Sequence, residues 1–111
     1  MASGTIKVDI PSNEVINVAS ETILENLTII RFGKIRILRC SFKNLADGDN
    51  LSGEIVPNND RPKYAITEDH ATLDGNSLRV EVRTDGSIYC YKPSGEPSNP
   101  NAWVVSTYFT N

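Results

Sequence analysis

The sequence has few of the residues that build the commonest catalytic and metal sites. Its 111 residues include two cysteines and one histidine. Cys40 and Cys90 lie far apart, so the Cys-x-x-Cys spacing of redox and zinc motifs is missing. His70 follows Glu68 and Asp69, and neither a Gly-x-Ser-x-Gly elbow nor a Cys-His arrangement accompanies it. We interpret these three polar residues as a solvated loop rather than a metal site. The sequence therefore predicts no catalytic residue, no metal and no cofactor.

Long apolar runs and dense basic runs are also missing. No stretch of about 18 apolar residues is present, as a membrane-spanning helix would need. Lysine and arginine total 11 against 14 acidic residues, a formal net charge of -3, and no Lys/Arg run offers a stripe for phosphates. The start, Met1-Ala2-Ser3-Gly4, lacks the charged and apolar regions of a secretory signal. Neither a membrane nor a nucleic acid is therefore expected as a partner.

What the sequence does contain is alternation of apolar and polar residues, which is typical of half-buried β-strands. The alternation is strict over 5–10. Strands on either side of Gly33 are predicted to form a hairpin, since glycine accepts the positive φ of a tight turn. The clearest hairpin joins 78–83 to 88–91 through a turn containing Asp-Gly. A last strand over 103–109 is expected to place Trp103 and every second residue after it on one face.

Other segments are less regular. Residues 14–25 fit neither the helical nor the strand period. Residues 35–42 carry apolar side chains at both parities, which predicts either a bulge near Ile37 or a strand buried on both faces. Residues 44–53 are predicted to be a loop, as are 92–101.

Short strands are also predicted over 64–67 and 71–73. About nine short strands separated by Gly, Pro, Asn and Asp predict an all-β fold, an antiparallel, jelly-roll-like β-sandwich. At this length residues 1–111 should form one domain. Residues 1–25 fit the pattern least, and we interpret them as a cloning remnant followed by an edge strand, or as the remnant of a shaft.

The cysteines and the aromatic residues are the side chains left to interpret. Cys40 and Cys90 are expected to be buried free thiols, although a disulfide stays open if their strands are neighbours. Exposed aromatic rings can stack on sugars while their polar atoms bond to hydroxyls, so Tyr64, Tyr89, Tyr91 and Trp103 are the candidate ligand-binding residues. For Trp103, packing in the core is the favoured alternative. Tyr89 and Tyr91 should face outward, with Arg79, Glu81 and Arg83 forming a solvated face.

The order of several short motifs resembles a known family. The motifs are the hairpin over 28–42, Ile55-Val56-Pro57 with Arg61-Pro62, the Asp85-Gly86-Ser87-Ile88 turn, and the closing run Trp103 to Tyr108. This order is similar to that of the C-terminal head domains of tailed-bacteriophage tail-fibre and baseplate receptor-binding proteins, and of related phage minor structural proteins. The resemblance covers about residues 26–111, but no shaft repeat precedes it.

The resemblance implies a homotrimeric head in the virion, at the phage tail tip, that contacts other tail proteins and binds host cell-surface saccharides or other receptors without cleaving them. The family supplies no binding motif that can be carried over residue by residue. Two other functions stay open, a structural virion protein of the same fold and a carbohydrate-binding module of a secreted protein.

Overall fold

Two four-stranded antiparallel sheets make up the protein, as a computed structural model shows for residues 15–18, 21–72, 75–100 and 103–111. The first sheet has the order β1-β2-β3-β8 and the second the order β4-β7-β6-β5. The strands are β1 Val15–Val18, β2 Leu24–Phe32, β3 Ile35–Phe42, β4 Gly48–Leu51, β5 Ile66–Ala71, β6 Ser77–Val82, β7 Ile88–Lys92 and β8 Trp103–Phe109. The prediction of an all-β sandwich is confirmed. In the described ranges no helix is long and apolar enough to cross a membrane.

The two predicted hairpins are present, and each has the turn that its sequence indicates. β2 and β3 pair from Phe32↔Ile35 onward around Gly33, whose φ is +59°. β6 and β7 pair from Val82↔Ile88 around Gly86, whose φ is +88°. In both turns glycine takes a positive φ that residues with a Cβ adopt only at a cost.

The connections beyond these hairpins explain the jelly-roll-like character. From β3 onward the chain makes nested antiparallel pairs, in which β5 pairs with β6, β4 with β7 and β3 with β8. Nested pairing of this kind is what one long hairpin produces when it is wound across two sheets. The winding brings β8, the last strand, to the edge of the first sheet beside β3.

The core lies between the sheets and is built from the side chains of each strand that face inward. The first sheet and the second sheet both contribute, and the segments between strands add a few residues. The core consists of Ile23, Leu24, Leu27, Ile29, Leu38, Cys40, Phe42, Leu45, Val56, Leu78, Val80, Val82, Ile88, Cys90, Val104 and Tyr108. The two cysteines are free and buried, on strands of different sheets, as the sequence predicts. Burial raises the pKa of each thiol to about 12, so both stay protonated at neutral pH.

Several expectations about individual segments are wrong. Residues 48–51 form β4 and are not part of a loop. Within 64–72 there is one strand, β5, rather than a strand followed by the start of another. The irregularity near Ile37 is not a bulge, because β3 pairs in continuous register and the register shift lies in β2 between Leu24 and Asn26. Part of the unassigned 14–25 segment is strand β1. The strand predicted over 5–10 lies outside the described residues.

A buried ion-pair cluster holds the connection after β4 against the first hairpin. Asp60, which is fully buried, ends a short 3₁₀ turn over Asn58–Asp60. Its Oδ1 accepts hydrogen bonds from Nε of Arg31 and Nε of Arg36, both at 2.7 Å. The Tyr108 hydroxyl donates to the Asp60 carbonyl at 2.7 Å. One aspartate thereby joins β2, β3 and β8 to a segment whose pairing with β8 is a single bridge between Pro62 and Thr110.

This cluster predicts a loss of stability in acid. Burial alone would raise the pKa of Asp60, but the hydrogen bonds and charges of Arg31 and Arg36 hold it below its ordinary value. A carboxyl whose pKa is lowered by folding contributes stability above its unfolded pKa, about 3.9, and loses it as the pH falls through the folded value. We therefore expect the free energy of unfolding, measured by urea denaturation, to decline below about pH 4. Asp60→Asn should decline less steeply, and an equal slope in both proteins would contradict the assignment.

Candidate functional site: a tyrosine cleft on the second sheet

The outward face of the second sheet carries two of the four candidate aromatic residues. Tyr89 and Tyr91 alternate with the buried residues of β7, so both point away from the core, as predicted. In register beside them lie Asp49 and Leu51 on β4, and Arg79 and Glu81 on β6. The solvated face predicted for β6 is therefore the same face as that of the tyrosines. Aromatic rings and charged groups share one rigid surface of paired strands.

A shallow cleft of about 220 Å³ opens at one end of this face. We call it the tyrosine cleft, and it is lined by Asp69, Ser77, Arg79, Tyr91 and Pro93. The ring of Tyr91 is 44% exposed. Arg79 donates from Nε to Oδ1 of Asp69 across β5 and β6 at 3.1 Å, and both side chains are more than half exposed. The hydrogen bond to Asp69 raises the pKa of Arg79, which keeps the guanidinium charged. The cleft thus offers a ring, a charged donor and a charged acceptor to one ligand.

Tyr89, two residues before Tyr91 on the same face of β7, is held in place by its neighbours. Its hydroxyl donates to Oδ1 of Asp49 at 2.5 Å, and this hydrogen bond raises the pKa of Tyr89. The Arg83 guanidinium lies 5.0 Å from the ring centroid. Arg83 also pairs with Glu81 at 2.5 Å, and that hydrogen bond lowers the pKa of Glu81. The hydroxyl and ring of Tyr89 thus already have partners within the sheet, whereas the ring of Tyr91 lines the cleft.

Trp103 lies elsewhere, on the outward face of the first sheet. It is 48% exposed, so the prediction that it packs in the core is wrong. Its strand alternates strictly, with Val104, Ser106 and Tyr108 buried and Trp103 on the opposite parity. Arg39 of the neighbouring strand places its guanidinium 3.8 Å from the ring centroid. The core lies between the sheets, so Trp103 and the tyrosines are on opposite sides of the sandwich and belong to no common site.

Tyr64, the fourth candidate, is separate from both groups. Its side chain is 72% exposed. It lines an open hollow of about 700 Å³ together with Lys34, Lys63, Ile66 and Phe109, near the end of β8. Lys63 places its ammonium 5.6 Å from the centroid of the Tyr64 ring. Its charged side chains are the two lysines, and no Asp or Glu side chain lines this hollow.

Two cleft residues were not recognised as site residues from the sequence. Asp69 was grouped with Glu68 and His70, but these three lie within β5 and not in a loop. Because successive side chains of a strand point to opposite faces, Asp69 faces outward while Glu68 and His70 face inward. Arg79 was assigned to solvent. Only the register of β5, β6 and β7, which pairs Asp69 with Arg79 and Arg79 with Tyr91, brings the three together.

Comparison with family models and with curated sequences finds no match.

Proposed function

We propose that this chain is a non-enzymatic adhesion domain that binds saccharides on a host cell surface through the tyrosine cleft, as the head domain of a phage tail protein. The observation that carries the proposal is the grouping of the exposed Tyr91 ring with the Arg79–Asp69 pair on neighbouring strands. A sugar has apolar C–H faces and a rim of hydroxyls, so it suits a ring flanked by a donor and an acceptor. The order of sequence motifs described above supports the phage assignment.

The arrangement favours binding over cleavage. Asp69 forms an ion pair with Arg79, and its carboxylate is open to water, so it is suited to accepting hydrogen bonds from hydroxyls. The cleft is small and open, which suits one or two sugar units of a longer chain. Because its residues lie on paired strands and on Pro93 directly after β7, little ordering accompanies binding. Affinity for one cleft is then modest, and several copies on one particle add avidity.

Loss of the Tyr91 ring is expected to weaken binding about tenfold or more, since aromatic anchors commonly dominate such contacts. The test screens the folded protein against an array of bacterial surface polysaccharides and then titrates the strongest binder by calorimetry. Tyr91→Ala should lose affinity while Tyr91→Phe, which keeps the ring, stays within about threefold of the original. Tyr64→Ala is the matched control, because it removes an exposed tyrosine outside the cleft.

Three results would count against the proposal. Folded protein could bind no polysaccharide or host cell. Tyr64→Ala could lower the affinity while Tyr91→Ala does not. Mass spectrometry could also show shortened saccharide after incubation, which would contradict a purely adhesive role.

A further inference from the structure

The outward face of the first sheet is unusually apolar for a surface open to water. Antiparallel sheets with one solvated face normally carry polar side chains there. Eight of its described outward positions are apolar, and Glu25 lies exposed in the bulge of β2. The polar outward residues are Asn17, Asn26, Thr28, Arg39, Ser41 and Thr107, of which Arg39 is charged. The face is defined by Val15 on β1, Ile30 and Phe32 on β2, Ile35 and Ile37 on β3, and Trp103, Val105 and Phe109 on β8. We call these eight residues the apolar face.

Strand register groups six of these eight side chains in two adjacent rows. Phe32, Ile35 and Phe109 are cross-strand partners in one row. The next row contains Val15, Ile30 and Ile37, with Thr107 as its β8 member. The row after that is polar at Asn17, Thr28 and Arg39 and apolar only at Val105, which links the two apolar rows to Trp103. The outward face of the second sheet, with its ion pairs, has no such patch among its described residues.

The composition of β3, which supplies Ile35 and Ile37 to this face, agrees with that conclusion. Its sequence is apolar at both parities, which is typical of a strand covered on both faces. The described residues cover only one of them, through Leu38, Cys40 and Phe42. Ile35 and Ile37 on the other face remain partly open to solvent. The strand therefore has the sequence of a fully covered strand, and no layer within the described ranges lies on its outer side.

We propose that a second copy of this chain supplies that layer, with the two apolar faces packed against each other about a two-fold axis. The five most exposed members alone present roughly 500 Å² of surface, since three of them are aromatic. Stable dimers bury about 800 Å² per partner. The isoleucines and the polar rim of the face make up the remainder, so the patch has the size that a dimer requires.

A second copy fits better than the other occupant that the chain offers. The only long stretch outside the described residues, 1–14, contains three alternating apolar residues at Ile6, Val8 and Ile10. One added strand is about 5 Å wide, whereas four strands span about 19 Å. A single strand therefore covers about a quarter of the face, while a matching four-stranded sheet covers all of it. Sheets of β-sandwiches commonly pack in this way, aligned and about 10 Å apart.

The charged residue of the face does not oppose this contact. Arg39 stacks on Trp103, with its guanidinium 3.8 Å from the ring centroid. The centre, at Ile30 and Ile37, is uncharged. A face that pairs with itself closes as a dimer, unlike the trimer that the resemblance implies, which needs two different surfaces on each copy. The tyrosine cleft lies on the other sheet and stays open in such a dimer.

The test is the mass of the full chain in solution, measured by sedimentation velocity over a range of concentrations. At about 10 µM the protein should be a dimer. Val105→Lys and Phe32→Lys each add a positive charge to both sides of the contact and should weaken association at least about 100-fold. Leu51→Lys is the matched control, since Leu51 is 55% exposed on the outward side of the second sheet. Its mass should equal that of the original protein.

Trp103 gives a readout that needs no variant. It is the single tryptophan of the sequence and lies in the apolar face. Its emission should shift to longer wavelength on dilution, in step with the loss of mass. A monomer at about 100 µM would overturn the proposal, as would a trimer. A dimer with unchanged Trp103 emission, or one that withstands both lysine substitutions, would place the contact elsewhere and overturn it as well.

Discussion

Replacement of Asp60 by asparagine should lower the free energy of unfolding by about 3–5 kcal/mol, which is a large part of the total stability of a domain this size. The substitution keeps the size of the side chain and removes its charge. Arg31 and Arg36 then lose the carboxylate that both of them contact, and Arg36 is buried. Leaving a buried cation without its anion costs far more free energy than the intact ion pair contributes to stability.

The loss should be large because the cluster is the buried polar contact between the 3₁₀ turn and the first hairpin. Arg36 also donates to the carbonyls of Gly33 and Asn59, at 2.7 and 3.2 Å. The cluster thus fixes the tip of the first hairpin, the 3₁₀ turn and the end of β8 relative to one another. Once the charge of Asp60 is gone, the arginines can regain hydration only by opening this corner of the sandwich.

Asp69→Asn is the appropriate control for Asp60→Asn. Asp69 also pairs with an arginine, but both partners are mostly exposed, and such pairs contribute less than about 1 kcal/mol. Urea denaturation of the three proteins at neutral pH measures the difference. Equal losses for the two variants would mean that the Asp60 cluster is not a buried ion-pair network.

The parts of the fold that follow from local patterns were predictable from the sequence. Alternation and the Asp-Gly turn locate β6 and β7 within a residue or so, and Gly33 locates the first hairpin. The strand β4 was missed because its sequence, Gly-Asp-Asn-Leu, is that of a turn. It pairs with β7 over a long separation along the chain, and Asn50 uses its side-chain amide to bond the Ala46 carbonyl at 2.9 Å. Tertiary pairing therefore overrides local preference there.

The candidate site was only half predictable, for a related reason. The parity of β7 gives the outward direction of Tyr91, because that depends on one strand alone. The position of Asp69 and Arg79 beside Tyr91 depends on the register between three strands, which no local pattern specifies. Trp103 was expected in the core because a large ring usually is buried. Its face of β8, with Val105 and Phe109, is also the more apolar of the two in the sequence, and only the fold shows that the other face is buried.

Gly86→Ala, in the turn between β6 and β7, should lower the free energy of unfolding by about 3 kcal/mol. The sequence indicates a glycine with positive φ here, and the structure shows why this one is special. A Cβ on Gly86 would lie 2.7 Å from the carbonyl oxygen of Val56 and 2.6 Å from Nε of Arg61. Arg61 can move, but the Val56 carbonyl belongs to backbone that is fixed by the bond from the Val56 amide to the Gly86 carbonyl at 2.9 Å.

Gly95→Ala is the control that separates the cost of the close Cβ contact at Gly86 from the cost of backbone strain at positive φ. Gly95 has φ +94°, close to the +88° of Gly86, but a Cβ there would meet nothing within 4 Å. Gly95→Ala should therefore cost about 1 kcal/mol, which is the strain of positive φ alone. The difference between the two variants in urea denaturation, about 2 kcal/mol, measures how closely the segment after β4 packs on the second hairpin. If both variants lose the same stability, the Val56 backbone yields to a methyl group and does not hold this turn in place.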